Sequence, residues 1–226
     1  MKLAKPHVDV GLMTNALEPM RRFWQQQVGL AFEEMLALGG GLRQYRHAMN
    51  GSVLKLNHVR DPLPPARPSG YRSISIARDG QGERRTLRDP DGNVVVLVPR
   101  GEQHVHGIAV ELGVRDEAAF HRFYGHALGL ELTGESTYLC GDTLLRFAHD
   151  PQAPSDAAWM GSGFRYVTIQ VWDVDLEHRG ILERGGVEGR PPLTLGKVAR
   201  VSFVRDPDGN WIEISQRASL TGPLPG

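Results

Sequence analysis

The sextet Arg88-Asp89-Pro90-Asp91-Gly92-Asn93 returns letter for letter as Arg205-Asp206-Pro207-Asp208-Gly209-Asn210. A second motif repeats in the same order: Phe23-Trp24-Gln25-Gln26-Gln27-Val28-Gly29-Leu30 is echoed by Phe123-Tyr124-Gly125-His126-Ala127-Leu128-Gly129-Leu130. A chain of 226 residues is ambiguous between one large domain and two small ones. Two motifs in one order resolve it into two related halves. The step from residue 23 to 123 is 100, and the step from 88 to 205 is 117, so the second half carries 17 more residues between its motifs. That is about the length of a short helix with its loops.

Local patterning fills in the units. His7–Leu12 alternates with period 2, as a half-buried strand does. Glu18–Val28 places Met20, Phe23, Trp24, Gln27 and Val28 at helical spacing, and Gly29 ends the helix. Strands are predicted at Leu42–His47, Ser52–Asn57, Tyr71–Ala77 and Val94–Val98, with the proline-rich Asp61–Pro68 as a connector. The second half predicts a strand at Val105–Leu112, a helix from about Asp116 to Leu128, and strands at Ser136–Cys140, Thr143–Ala148 and Tyr166–Val171. The extra residues become a helix at Val174–Arg184, and strands at Ala199–Val204 and Trp211–Ser215 follow. The expected division is an N-terminal half over 1–100, a C-terminal half over 101–217 that holds the site, and a tail over 218–226.

Composition narrows the partners. Lysine plus arginine and aspartate plus glutamate both total 26, so no basic surplus is available for nucleic acid or anionic membrane. The single cysteine, Cys140, permits no internal disulfide and no cysteine-rich zinc site, and the natural setting is reducing and cytoplasmic. The N-terminus shows no signal-peptide core and no stretch is long enough for a membrane span. The sequon Asn50-Gly51-Ser52 reads as a turn. Phosphate-loop, dinucleotide, zincin and nucleophile-elbow motifs are all missing, which leaves a small-molecule partner, with a homodimer compatible.

A strand, a helix ending Phe-Tyr-x-x-x-Leu-Gly-Leu, and three strands of which the last follows Asp-Pro-Asp-Gly-Asn resemble the vicinal oxygen chelate superfamily. That superfamily includes glyoxalase I, methylmalonyl-CoA epimerase, bleomycin-resistance proteins and type I extradiol dioxygenases. The resemblance spans about residues 5–216. It implies an α+β fold of tandem βαβββ units forming two cupped mixed sheets, with the second unit truncated by loss of its helix. Tandem double units are most like the extradiol dioxygenases, whose C-terminal cup holds iron. There a divalent metal binds two neighbouring substrate oxygens, with an imidazole and a carboxylate leaving adjacent positions open.

The resemblance places an acidic ligand at Glu213, and in Trp211-Ile212-Glu213-Ile214 alternation turns Glu213 into the cup. A partly solvated strand glutamate is the competing reading. Tyr166 stands where relatives carry a histidine, either as a catalytic group near the metal or as a packed phenol making one hydrogen bond. His106 is the second candidate metal ligand. Strict alternation groups it with Ile108, Val110 and Leu112 and turns Val105 into the cup, so a β-bulge near Gly107 is needed to bring it in. His104 is then a surface residue. His149 is a candidate proton-transfer group, and Trp211, Phe203 and Arg146 are candidate substrate contacts. In the first half His7 has cup parity, but Val96 occupies the place of Glu213 and Ser73 that of Tyr166, so a pocket or interface role is expected for His7.

Two functions follow. One is a divalent-metal enzyme, with Fe(II) as the expected ion, cleaving a catechol-like ring in the extradiol manner. The other is a metal-free small-molecule binder of the bleomycin-resistance type; a glyoxalase- or epimerase-like lyase or isomerase lies between them.

Overall fold

The computed structural model describes residues 1–224. Fifteen strands among the described residues form two mixed sheets. The first unit contributes β1 (Asp9–Thr14), α1 (Leu17–Arg22), β2 (Ala31–Gly39), β3 (Leu42–Met49) and β4 (Ser52–Val59). The second contributes β5 (Tyr71–Arg78), β6 (Arg85–Arg88) and β7 (Val94–Pro99). The third holds β8 (Ile108–Val114), α2 (Glu117–His121), β9 (Glu131–Gly134), β10 (Thr137–Cys140) and β11 (Thr143–His149). The fourth holds β12 (Gly163–Gln170), α3 (Val174–Glu183), β13 (Val187–Leu195), β14 (Ala199–Arg205) and β15 (Trp211–Arg217). No helix among the described residues is long and apolar enough to cross a membrane.

The repeated motifs do the same local work twice. After α1 and α2 the chain continues as a π-turn over Phe23–Gln27 and Arg122–Ala127, and Val28 N–H and Leu128 N–H donate to the carbonyls of Phe23 and Phe123 at 3.0 and 2.8 Å. Gly29 and Gly129 then leave at positive φ, the conformation glycine adopts without steric cost. In each Asp-Pro-Asp-Gly-Asn turn the first aspartate accepts three N–H bonds from the residues that follow, at 2.8–3.0 Å. The sequon is the expected turn, and the Asn50 side chain reaches out of it to the carbonyls of Ala77 and Gly107.

Three expectations need correction. The 17 extra residues are a helix and a strand together: the second unit lacks counterparts of both α3 and β13. β13 was not expected, because Pro191-Pro192 interrupts it; as the outermost strand with register shifts on either side of Arg190 it tolerates the missing N–H groups. The tail begins with a short helix, Ala218–Thr221, and residues 225 and 226 of the expected tail lie outside the described residues.

The third correction concerns pairing. The eight-stranded sheet runs β13-β14-β15-β12-β1-β4-β3-β2, and the seven-stranded sheet runs β6-β7-β5-β8-β11-β10-β9. The first unit therefore shares a sheet with the fourth, and the second with the third. Neither half closes its own cup. On the faces turned away from the cups, Val10, Leu54, Ile169 and Ile214 of one sheet and Ile76, Ile108, Val110 and Leu145 of the other belong to one buried cluster with helix residues Trp24, Phe120 and Ile181. One core holds both sheets together.

Candidate functional site

The cup of the eight-stranded sheet is built from alternate residues of its central strands. Register aligns Asp9, Thr168, Glu213, Phe203 and Arg190 in one row across five strands, and Lys55, Gly11, Tyr166 and Trp211 in the next. The row spacing puts a buried lysine opposite a buried glutamate. Lys55 Nζ donates to Glu213 Oε2 at 2.6 Å and to Thr168 Oγ1 at 2.7 Å, and Thr168 donates to the same carboxylate oxygen at 2.5 Å. Burial pulls the Lys55 ammonium below the ordinary lysine value, and the charges of Glu213 and Asp9 oppose that pull. Both bonds fall on Oε2, so Oε1 of Glu213 receives neither.

Tyr166 stands over this pair. Its ring occupies the space that Gly11 leaves: a Cβ on Gly11 would lie 2.1 Å from the ring. Its hydroxyl accepts from Asn57 Nδ2 at 3.0 Å and Gln44 Nε2 at 3.5 Å. Burial and the nearby Glu213 charge raise its pKa far above the usual phenol value, so it stays a neutral donor. The packed, hydrogen-bonded phenol is the reading the geometry supports, since phenolate would be needed for metal ligation.

Above Tyr166 and Glu213 lies a cavity of about 460 Å³, within the range of small-molecule sites. Its walls are largely apolar: Leu38, Leu42, Trp159, Val201 and Phe203, with Pro191 to Leu193 and Leu195 of β13 at the rim. Trp159 packs on Tyr166, Phe203 and Trp211 with ring centroids 5.0, 4.6 and 5.6 Å apart. Its loop is held by the buried Arg165, whose guanidinium donates to the carbonyls of Gly161, Ser162 and Arg67. Trp211 donates its indole N–H to Ala157 O at 2.7 Å and so buttresses this wall from behind. Of the expected substrate contacts, Phe203 lines the cavity and Trp211 supports it.

Arg146, His106 and His149 are elsewhere. All three belong to the third unit, and the pairing of that unit with the second puts them on the seven-stranded sheet, away from Glu213. His106 is exposed just before β8, whose first residue is Ile108 rather than Val105; His104 is exposed in the preceding turn. Val105 is fully buried against Ala77, Val98, Ala109 and Leu144, inside the seven-stranded cup. His149 is exposed at the end of β11. His7 lies 2.6 Å from Asp142 Oδ2, tying the first unit to the third, which is an interface role.

The residues around Glu213 do not fit a divalent metal. The ammonium of Lys55 occupies the carboxylate and would repel a dication. The nearest acid in its row, Asp9, is already engaged by Lys5 Nζ at 2.6 Å, Val53 N–H at 2.9 Å and Gln170 Nε2 at 3.3 Å. No three His, Cys, Asp or Glu side chains converge anywhere among the described residues. The expected His106–Glu213 iron site is therefore not assembled, because its two members lie in different sheets.

The comparisons agree with this architecture. Residues 104–214 match the family described as the Glyoxalase/Bleomycin resistance protein/Dioxygenase superfamily. Glyoxalase I from Zea mays superposes with a TM-score of 0.73 at 16% identity, covering 93% of this chain and 92% of its own. A Bacillus subtilis structure described as a candidate dioxygenase superposes with a TM-score of 0.72 at 12% identity, covering 96% of this chain and 86% of its own. No curated protein sequence matches the chain. The match to that superfamily is carried by residues 104–214, and the two cupped mixed sheets, built from four units with the second truncated, have the vicinal oxygen chelate fold.

Lys55, Thr168 and Arg190 are site residues that sequence reasoning missed, and Trp159 reads from sequence only as a core or pocket residue. Lys55 had a signal: in Val53-Leu54-Lys55-Leu56-Asn57 it sits on the strand face shared with Asn57, the face that Glu213 occupies in the fourth unit.

Proposed function

We propose that the eight-stranded cup binds a small aromatic molecule without a divalent metal. The observation that carries this reading is the Lys55–Glu213–Thr168 cluster, which puts an ammonium where a metal would otherwise neutralise the carboxylate. The aromatic wall of Trp159 and Phe203 supplies apolar surface for a ring, and Tyr166 and Glu213 supply polar groups at the floor to orient it. This is the division between apolar lining and few polar groups that small-molecule sites require. It favours the metal-free binder over the Fe(II) dioxygenase, whose donor set is not brought together in this chain.

Trp159 in the cavity wall provides the assay. Titration of the purified protein with aromatic ligands, followed by tryptophan fluorescence, is expected to give saturable quenching that EDTA does not change. Calorimetric titration with Fe(II), Mn(II) or Zn(II) is expected to give no stoichiometric binding at micromolar concentration. A stoichiometric metal whose removal abolishes ligand binding would overturn the proposal.

A further inference from the structure

The cavity is charged at both ends, and the charges differ in sign. At the floor Glu213 presents Oε1, while Lys55 and Thr168 hold Oε2 from behind. At the rim is Arg190, on the edge strand β13. Its guanidinium lies over three rings at once, 5.0 Å from the centroid of Trp159, 5.7 Å from Trp211 and 5.9 Å from Phe203. The acid nearest to it along β13, Glu188, is already engaged with His178 at 3.0 Å. Among the described residues, Arg190 makes no ion pair.

A guanidinium stacked on aromatic faces keeps its in-plane N–H groups free, and those groups match carboxylate and phosphate oxygens. Register fixes the span. Arg190 pairs with Phe203, and Phe203 pairs with Glu213, so the two charged residues are two strands apart, about 10 Å at the backbone. Phe203 lies between them as the surface on which a planar group would rest.

We infer that the ligand of this cup is an aryl anion with a hydrogen-bond donor at its far end: the anionic group on Arg190, the ring on Phe203 and Trp159, and a hydroxyl or amino group donating to Glu213 Oε1. The inference rests on the proposed metal-free binding of an aromatic molecule in this cup, and it adds the polarity and direction of what is bound. No bond is made or broken in it.

Three matched probes test the two ends separately: 4-hydroxycinnamate, its methyl ester, which lacks the anion, and cinnamate, which lacks the donor. Indole serves as a neutral aromatic control. Binding to the intact protein is followed by tryptophan fluorescence and checked by calorimetry. The hydroxy acid is expected to bind about tenfold or more tightly than either analogue, since each lost bond is charge-assisted. Arg190→Gln should remove the preference for acid over ester and leave the preference for the hydroxyl. Arg190→Lys, which keeps the charge without the planar fork, should restore part of the lost preference. Glu213→Gln should do the reverse of Arg190→Gln, removing the hydroxyl preference alone. Equal affinity for acid and ester, or a preference that survives Arg190→Gln, would overturn the inference. So would binding of indole with none of the cinnamates, although the aromatic-cup reading would then stand. Failure of all four probes to bind would count against both.

Discussion

The two cups carry the same framework and different floors. Aligned through their register, Lys55 corresponds to Arg146, Glu213 to Val96, Gly11 to Glu111, Tyr166 to Ser73 and Thr168 to Ser75. Each cup thus has a cation on the last strand of its first- or third-unit contribution, and each cation faces an acid. The acid comes from a different strand in each case: β15 in the eight-stranded sheet and β8 in the seven-stranded one. In the first cup the pair is 2.6 Å apart, with side chains 5% and 11% exposed. In the second it is 3.4 Å apart, with side chains 17% and 34% exposed, in a wider polar hollow of about 650 Å³ lined by Ser73, Ser75 and Thr86. One fold has produced a buried ion pair under an aromatic wall and a more exposed ion pair in a polar hollow, and the difference lies in which strand supplies the acid and which residues wall it in.

The largest effect expected from breaking this comparison is at the cations. Lys55→Met strands Glu213 in a low-dielectric cavity, and leaving one partner of a buried pair uncompensated costs about 3–5 kcal/mol. Arg146→Met removes a long, partly solvated pair worth about 1 kcal/mol or less. Urea unfolding of both variants measures the contrast, and equal losses would show that the two floors are energetically alike. The double variant Lys55→Met/Glu213→Leu should recover most of the loss, because removing both charges avoids the desolvation that each alone incurs.

A smaller contrast is expected one residue along the row. Gly11→Ala drives a Cβ into the Tyr166 ring, and overpacking of this kind costs about 1–3 kcal/mol. It should also tilt the ring into the cavity and weaken binding of the aromatic probes. The matching position holds Glu111, and Glu111→Ala should change stability by less than about 1 kcal/mol. Thermal melts report the first effect and fluorescence titration the second. A Gly11→Ala protein that melts and binds like the parent would mean that Tyr166 has room to move.

How much of this was legible in the sequence depends on the range of the interaction. The units, their order and most of their strands follow from periods of 2 and 3.6 and from the two repeated motifs. Glu213 and Phe203 could be turned into a cup, because alternation within one strand fixes a face. Which cup they share could not be read, since pairing β1 with β12 joins residues 150 or more positions apart and no local pattern encodes it. His106 was drawn toward Glu213 by assuming that neighbouring units close together. Lys55 was passed over because a lysine between two leucines reads as a solvated strand face until its partner strand is known. Trp159 sits in a loop whose shape depends on Arg165 donating to the Gly161, Ser162 and Arg67 carbonyls. Arg190 lies beside two prolines that hide its strand.

A last contrast lies where the two halves are alike. Asp89 and Asp206 open the same turn, and burial pushes each up to about 6, despite the N–H bonds that favour the ionised form. Each therefore holds its proton in the folded chain when the unfolded chain has already lost it. Their contribution to stability is present below about pH 4 and is lost as pH rises through about 6. His47 acts in the opposite sense: burial lowers it to about 4, so its contribution is present above the ordinary histidine value and is lost as pH falls toward 4. Two aspartates outweigh one histidine, so the intact protein should still lose stability as pH rises between about 4 and 6, at about half the slope the aspartates alone would give. His47→Gln should expose the aspartate slope, with stability falling as pH rises across that window. Asp89→Asn with Asp206→Asn should expose the histidine slope, with stability rising over the same window. Urea midpoints at half-unit pH steps measure both, and the two single asparagine variants should change the slope by equal amounts. Unequal changes would mean that the halves differ in the turn they share letter for letter, and Tyr124, which donates to Asp206 at 3.3 Å and is replaced by Trp24 in the first half, is the first place to look.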